Sequence, residues 1–262
     1  LSNLTITSLF SGAGGLDLGL IKAGHSVIWA NDFDLDCCDT YKCNIGDHIH
    51  HGPIEEYPSD NIPVTDVVVG GFPCQGFSQA NLLRFEDDER NRLYLEFLRV
   101  IRDKQPKWFL AENVRGILSL GGGAVIARIE ADFEAAGYRV DKKLFNMANF
   151  GVPQTRQRVI IAGTRKDLPS SSDYTFPKET HSKSGANDLQ KWVSIGQALE
   201  NIPEPGDDHS LVNHVCSQYK VTNRNFTGHR ATDPNKPSPT ILARGNGKGG
   251  VCALQHPKNH RR

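Results

Sequence analysis

The chain has 262 residues, its 30 Lys/Arg balanced by 30 Asp/Glu, and no apolar run near the ~20 residues that cross a bilayer. That length predicts one large domain, or a domain with a smaller companion, with no part in a membrane. Six cysteines without compact spacing exclude a disulfide scaffold, and the lack of a Cys-x-x-Cys pair excludes the usual zinc signature, so no metal is expected. Leu1 is followed by no signal-peptide pattern, which predicts a cytoplasmic protein. The neutral total hides an asymmetry, because from 213 to 262 nine Lys/Arg stand against one acid, Asp233. Such a basic end is either the footprint of a polyanion site or a solvated tail.

In chain order, Ile6-Thr7-Ser8-Leu9-Phe10 reads as a first strand. It runs into Ser11-Gly12-Ala13-Gly14-Gly15 and then an amphipathic helix through Leu16, Leu18, Leu20 and Ile21 that ends at Gly24. Strand, glycine turn and helix let backbone N–H groups approach a ligand, although many α/β domains use such a turn for packing alone. The spacing is neither the dinucleotide Gly-x-Gly-x-x-Gly nor a Walker loop. A second strand, Val27 to Asn31, ends at Asp32-Phe33. An acid there binds a ribose in Rossmann-like sites, with Phe33 against the base; alternatively Asp32 caps the helix from Asp34 to Cys43.

Val67 to Val69 reads as a buried strand that stops at Gly70-Gly71 and delivers Cys74 between Pro73 and Gln75. Pro73 fixes its own φ and biases Phe72 to an extended backbone. A thiol on a stiff loop at the carboxyl end of a strand is placed for nucleophilic chemistry, though most free cysteines are small buried hydrophobes. Arg84 to Asn91 is densely charged and predicts a surface loop. The helix from Arg92 to Lys104 carries Leu93, Phe97, Val100 and Ile101 on one face. Trp108 to Ala111 is the next strand and ends in Glu112-Asn113-Val114, where apolar surroundings would favour a protonated, proton-donating Glu112. A helix from Ala124 to Ala136 and extended segments over Tyr138–Leu144 and Arg158–Ala162 follow. In Gln154-Thr155-Arg156-Gln157-Arg158, alternation puts both guanidinium groups on one side of an extended backbone. That suits a phosphate or a carbonyl oxygen, and equally a pair of surface ion pairs. A polar stretch, Pro169 to Asp188, leads to a short helix over Trp192–Leu199 and to a basic glycine loop, Gly245 to Gly250.

These segments together resemble the DNA (cytosine-5) methyltransferases of the bacterial modification type. Phe10-Ser11-Gly12-Ala13-Gly14-Gly15-Leu16 is similar to that family's cofactor motif and Gly71-Phe72-Pro73-Cys74-Gln75 to its Pro-Cys nucleophile loop. Glu112-Asn113-Val114 looks like its Glu-Asn-Val motif, and Gln154 to Arg158 like its Gln-x-Arg-x-Arg motif, in the family's order and spacing. Thr240-Ile241-Leu242 resembles a threonine segment of the target-recognition region, and the likeness continues to His256-Pro257.

The resemblance implies an α/β fold: a Rossmann-like S-adenosylmethionine-dependent methyltransferase domain over residues 1–170 and a smaller, irregular target-recognition region over 171–262. It implies S-adenosyl-L-methionine as cofactor, held by the Phe10–Leu16 motif with Asp32, Phe33, Ile54, Phe72 and Leu93. It implies Cys74 as nucleophile on carbon 6 of a flipped cytosine, Glu112 acting at N3 and the exocyclic amine, and Arg158 at O2. Arg156 would support the Cys74 loop or hold a phosphate. Gln75, Ser78, Thr240, Arg244 and Lys248 are implied contacts to double-stranded DNA. A cognate restriction endonuclease is the implied functional partner of a monomeric, nucleoid-associated bacterial enzyme. Two departures stand out. Gly52-Pro53-Ile54 replaces the family's Gly-Asp-Ile, leaving adenine to Ile54, Phe33 and backbone. The sequence also ends at Arg262, before the family's last motifs, which implies a chain incomplete at its C-terminus. Members that methylate transfer RNA carry the same catalytic motifs, and a non-catalytic nucleic-acid-binding piece is a further alternative; the basic glycine loop leans toward duplex DNA.

Overall fold

Val67, Val68 and Val69 point alternately to opposite faces of one sheet, and both faces are covered. The computed structural model describes residues 3–73, 92–203 and 233–241. The first half of the sheet is built from β1 (Thr5–Leu9), α1 (Gly15–Lys22), β2 (Ser26–Asp32), α2 (Leu35–Asn44), β3 (Ile49–His51) and β4 (Val67–Gly70). α3 (Arg92–Lys104), β5 (Trp108–Val114), α4 (Ala124–Ala135), β6 (Tyr138–Asn146) and β7 (Gln157–Arg165) complete it. The strand order is β3-β2-β1-β4-β5-β7-β6. The first five neighbours run parallel, and β7 is antiparallel to β5. From β1 the chain winds outward to β3 and then returns to place β4 on the other side. Such a reversal opens a crevice at the carboxyl ends of the two central strands.

Alternation explains the two cores. Ile6, Val67 and Val69 pack with Cys38 and Tyr41 of α2, while Leu9, Val68 and Phe109 pack with α3 and α4. Strands covered on both faces must be apolar at every position, which is why β4 is a plain valine run. On the α3 side the rings of Phe109 and Phe133 lie 4.4 Å apart, and Phe97 joins them edge-on. Each such buried ring stabilises the fold by roughly 1.5–3 kcal/mol. The apolar face expected of α3 is buried as read, with Phe97, Val100 and Ile101 in the core.

The expected amphipathic docking of α1 is corrected. Leu16, Leu18 and Ile21 are exposed, Leu20 alone of the expected face packs partly buried against the core, and the helix's one fully buried side chain is Asp17. This eight-residue helix is held by hydrogen bonds and by the turn before it, not by an apolar stripe.

The chain divides into two compact units, Leu1–Leu144 with Arg158–Phe176, and Phe145–Gln157 with Pro177–Arg262. The first unit reaches Phe176 because the stretch before it is tied down. Trp108 Nε1 donates to Ser172 O at 2.9 Å, and Arg139 pairs with Asp173 at 2.5 Å. The second unit holds β8 (His181–Ser182), β9 (Gln190–Lys191) and α5 (Ile195–Ala198). α5 is shorter than Trp192–Leu199 because a capping box of Ser194 and Gln197 starts it later. Within this unit residues 233–241 are stitched to the segment before Arg156: Thr155 N–H donates to Ser238 O and Ser238 N–H to Pro153 O, both at 2.8 Å. Among the described residues no helix is long and apolar enough to cross a membrane.

Candidate active site

On the β1 side of the crevice, the glycine turn needs Gly12 and Gly14 at φ 56° and 85°, and Phe10 adopts φ 55° without being glycine. A non-glycine residue in that region stores strain and persists only where its surroundings fix it. They do so here. Ser11 N–H donates to Asn31 O at 3.0 Å, and Gly12 N–H to Asp32 Oδ2 at 2.7 Å. Asp34 N–H takes the other carboxylate oxygen of Asp32 at 3.0 Å. Asp32 is therefore not the cap of α2. Asp34 is, accepting from Cys37 N–H at 2.9 Å. The Asn31 side-chain amide reaches across to the end of β3, donating to His50 O and Gly52 O at 3.0 and 2.9 Å. Three strand ends thus form one bonded rim.

That rim leaves room for a ligand. Phe33 is 68% exposed beside the 7% exposed Asp32, and a Cβ built on Gly12 or Gly15 would meet nothing within 4 Å. A carboxylate, an uncovered aromatic ring and open glycine backbone suit a nucleoside with a charged tail, as S-adenosylmethionine is. Phe10, Ile54, Phe72 and Leu93 fall in one apolar cluster beneath the rim, with Ile54 and Phe72 buried. Arg99 of α3 holds the turn that carries Ile54, donating to Ser59 Oγ at 2.6 Å and to Tyr57 O at 3.1 Å. Leu16 stands apart, exposed on α1.

The other wall is the end of β4 and its neighbours. The Asn113 side chain donates to Phe72 O at 3.0 Å and fixes the approach to Pro73. A Cβ on Gly71 would lie 3.3 Å from Glu112 Oε2, so the glycine lets the chain pass under that carboxylate. Because β7 is antiparallel, its beginning lies at the carboxyl edge of the parallel strands. Val114 faces Arg158 and Glu112 faces Ile160, which sets Arg158 and Glu112 diagonally on one face. Arg158 Nε lies 2.6 Å from Glu112 Oε1, as a charge pair whose N–H is not aimed along the contact. The expected apolar surroundings of Glu112 are thus replaced by a guanidinium.

Cys74, Gln75 and Ser78 lie outside the described residues, as do Arg244 and Lys248. Burial and the charges of Asp32 and Asp34 push the Cys37 thiol up to about 11, and burial raises Cys38 as well. Thiols held protonated in this way are poor nucleophiles. Arg156 and Thr240 belong to the second unit, where Thr240 Oγ1 donates to Thr155 O at 3.4 Å. The threonine segment therefore adjoins the Gln-x-Arg-x-Arg motif.

A family profile described as C-5 cytosine-specific DNA methylase matches residues 4–248. The chain belongs to that family. Its members move a methyl group from S-adenosylmethionine to carbon 5 of cytosine in DNA. The Type II methyltransferase M.NgoFVII of Neisseria gonorrhoeae is 40% identical over 92% of this cytosine methylase chain and 70% of its own length. M.FnuDI of Fusobacterium nucleatum, also a Type II methyltransferase, is 44% identical over 97% of this chain and 74% of its own. A solved E. coli prophage protein described as a DNA modification methyltransferase is 29% identical with a TM-score of 0.62, covering 77% of this chain and 56% of that one. The chain therefore spans about half to three quarters of the relatives it matches.

Asn31, Arg99 and Asp17 have no role assigned by the motifs, and Asn113 enters them only as a member of Glu112-Asn113-Val114. A signal existed for two of them. Asn31 is a polar residue closing a buried strand, and Asp17 is an acid among the leucines of a short helix.

Proposed function

We propose that this chain transfers a methyl group from S-adenosylmethionine to carbon 5 of a flipped cytosine in duplex DNA, through a covalent adduct of Cys74. The observation that carries this is the meeting of Glu112 and Arg158 above the Gly71–Pro73 segment that leads into Cys74. Carbon 5 of cytosine is a weak nucleophile. Addition of the Cys74 thiolate to carbon 6 makes the ring an enamine that is reactive at carbon 5. Glu112 supplies a proton or hydrogen bond at N3 and the exocyclic amine as charge builds, and Arg158 holds O2. Arg156 supports the Cys74 loop or a phosphate. Loss of the carbon 5 proton and elimination of Cys74 restore the aromatic ring and the thiolate.

When bound, S-adenosylmethionine supplies the activated methyl group. Asp32 would hold its ribose, Phe33 and Ile54 its adenine, and the Phe10–Leu16 turn the rest, with Phe72 and Leu93 behind. No stacked base can offer carbon 6 and N3 to these groups, so the target cytosine leaves the duplex. Residues 1–170 would do the chemistry and 171–262 the recognition, with Gln75, Ser78, Thr240, Arg244 and Lys248 on the DNA. The Type II names of the relatives support a restriction-modification role; a cognate endonuclease as functional partner, a monomeric state and a place in the bacterial cytoplasm near the nucleoid are part of the same proposal.

Labelled methyl transfer to a cytosine-containing duplex, with sequencing of the methylated sites, tests the activity. A duplex carrying 5-fluorocytosine at the target should trap the chain covalently, and Cys74→Ser should abolish both adduct and transfer. An adduct with Cys74→Ser would assign the nucleophile to another cysteine, and transfer to tRNA alone would overturn the substrate.

A further inference from the structure

Asp17 takes no part in the steps above, yet it is the most enclosed acid on the crevice rim, 0% exposed. Its Oδ1 accepts from Ser8 Oγ at 2.7 Å and its Oδ2 from Tyr41 OH at 2.9 Å. Ser8 Oγ in turn accepts from Ser11 Oγ at 3.0 Å, and Tyr41 OH lies 3.0 Å from His48 Nε2. The Tyr41 ring and Ile45 also wall off Gly14, where a Cβ would come within 2.7 and 2.2 Å of them. One carboxylate therefore joins the strand before the glycine turn, the turn's own Ser11, the helix after it and the tyrosine that fixes its Gly14. Packing does not explain its place. α1 leaves Leu16, Leu18 and Ile21 outside and packs only Leu20 against the core, and a buried carboxylate is costly unless it is hydrogen-bonded throughout.

We infer that Asp17 is a positioning residue for the cofactor, setting the Ser11–Gly15 turn through Ser8 and Tyr41. This rests on the S-adenosylmethionine reading of the turn. The groups that face Asp17 are Ser8 from β1, Tyr41 from α2 and, behind Tyr41, His48, which itself neighbours His50. Ionised, Asp17 accepts from both hydroxyls while His48 donates to Tyr41. Protonated, it must donate one of those bonds, so Ser8 or Tyr41 must send its own hydroxyl proton to another acceptor, Ser11 Oγ or His48 Nε2, and the hydrogen bonds along that arm reverse. Burial already pushes this carboxyl above the ordinary carboxylate range, against the pull of Ser8, Tyr41 and His48. Acidification should therefore loosen the turn.

Calorimetry of S-adenosylmethionine binding, with thermal unfolding alongside, tests this in the unsubstituted chain, Asp17→Asn and Tyr41→Phe. For Asp17→Asn the Kd should rise about tenfold or more, as for a lost charge-assisted hydrogen bond, and for Tyr41→Phe by less. KM for S-adenosylmethionine should rise with it, while kcat and KM for DNA hold. The unsubstituted chain should lose affinity on acidification at pH values above the ordinary carboxylate range, and Asp17→Asn should lose that slope. A lowered Tm with unchanged Kd would make Asp17 merely structural and overturn the inference, as would an identical pH slope in Asp17→Asn. If Asp17→Asn does not fold, Tyr41→Phe and Ser8→Ala decide by the same readouts. No binding by the unsubstituted chain would overturn the cofactor reading itself; binding unchanged by every variant overturns this inference alone.

Discussion

Glu112 Oε1 and Arg158 Nε sit 2.6 Å apart across the pair of β5 and β7, on one face of the sheet. O2 and N3 are adjacent atoms of a cytosine ring. Two protein groups that address them must themselves be neighbours, and the diagonal register of an antiparallel pair provides that spacing. The same closeness keeps the carboxylate facing the segment that leads to Cys74.

Replacing Glu112 with Gln keeps the volume and a hydrogen-bonding side chain but removes the carboxyl that can carry a proton to N3. Turnover should fall by roughly 10²–10⁴ while S-adenosylmethionine and DNA affinity change little. Stability should barely move, because the ion pair is partly open to solvent. Single-turnover kinetics with separate binding measurements check this. Near-normal turnover with intact binding would reduce Glu112 to a positioning residue.

Asp32 and Asp34 stand two residues apart and hold different things. Asp34→Ala removes the cap of α2 and should cost about 1 kcal/mol of stability while leaving the Kd for S-adenosylmethionine alone. Asp32→Ala removes the proposed ribose contact and the clamp on Gly12. It should weaken cofactor binding by about 1.5–3 kcal/mol. Calorimetry and thermal unfolding of both variants separate the roles, and the reverse pattern would return the cap to Asp32.

Much of the fold was legible where periodicity is local. The valine run of β4, the apolar face of α3 and the acid closing β2 all lie where their own neighbours predict. What escaped depends on distant partners. Glu112 could be read as a strand-end acid, but its guanidinium neighbour arrives on β7, whose antiparallel direction no local pattern announces. The leucines of α1 have helical spacing, yet the helix is docked by Asp17 reaching Ser8 and Tyr41. The second unit also takes in Phe145–Gln157, a piece of chain lying between two parts of the first. Contiguous sequence cannot show such an exchange.

The thiols near the cofactor rim should be slow. With Cys37 pushed up to about 11 by burial, Asp32 and Asp34, only about one molecule in a thousand is thiolate near pH 8. Iodoacetamide labelling followed by peptide mass spectrometry should find Cys37 modified far more slowly than a free thiol, with a rate rising about tenfold per pH unit. Cys37→Ala should leave methyl transfer intact. Rapid labelling at neutral pH would mean that the two acids do not face it.

At the opposite edge of the sheet, away from the crevice, Asp66 accepts from Thr5 N–H at 3.0 Å, from Thr5 Oγ1 at 2.9 Å and from Lys107 Nζ at 2.8 Å. The Lys107 hydrogen bond, with those from Thr5, lowers its carboxyl from 3.8 to about 2. A carboxyl lowered in the folded state adds stability that is complete above its unfolded value. That stability is lost as pH falls through the folded one. The window therefore runs from about pH 5 down to about pH 2. Lys107 is half exposed, so the contribution is on the order of 1–2 kcal/mol at neutral pH after solvent screening. Asp66→Asn should lower Tm at pH 7, and its deficit should shrink through that window until the two curves meet near pH 2. A deficit that stayed constant with pH would show that Asp66 acts through its shape and backbone contacts, with the Lys107 charge contributing nothing. Since the pair lies at the far end of β1 and β5 from Asp32 and Glu112, cofactor affinity in Asp66→Asn should match the unsubstituted chain wherever both are folded.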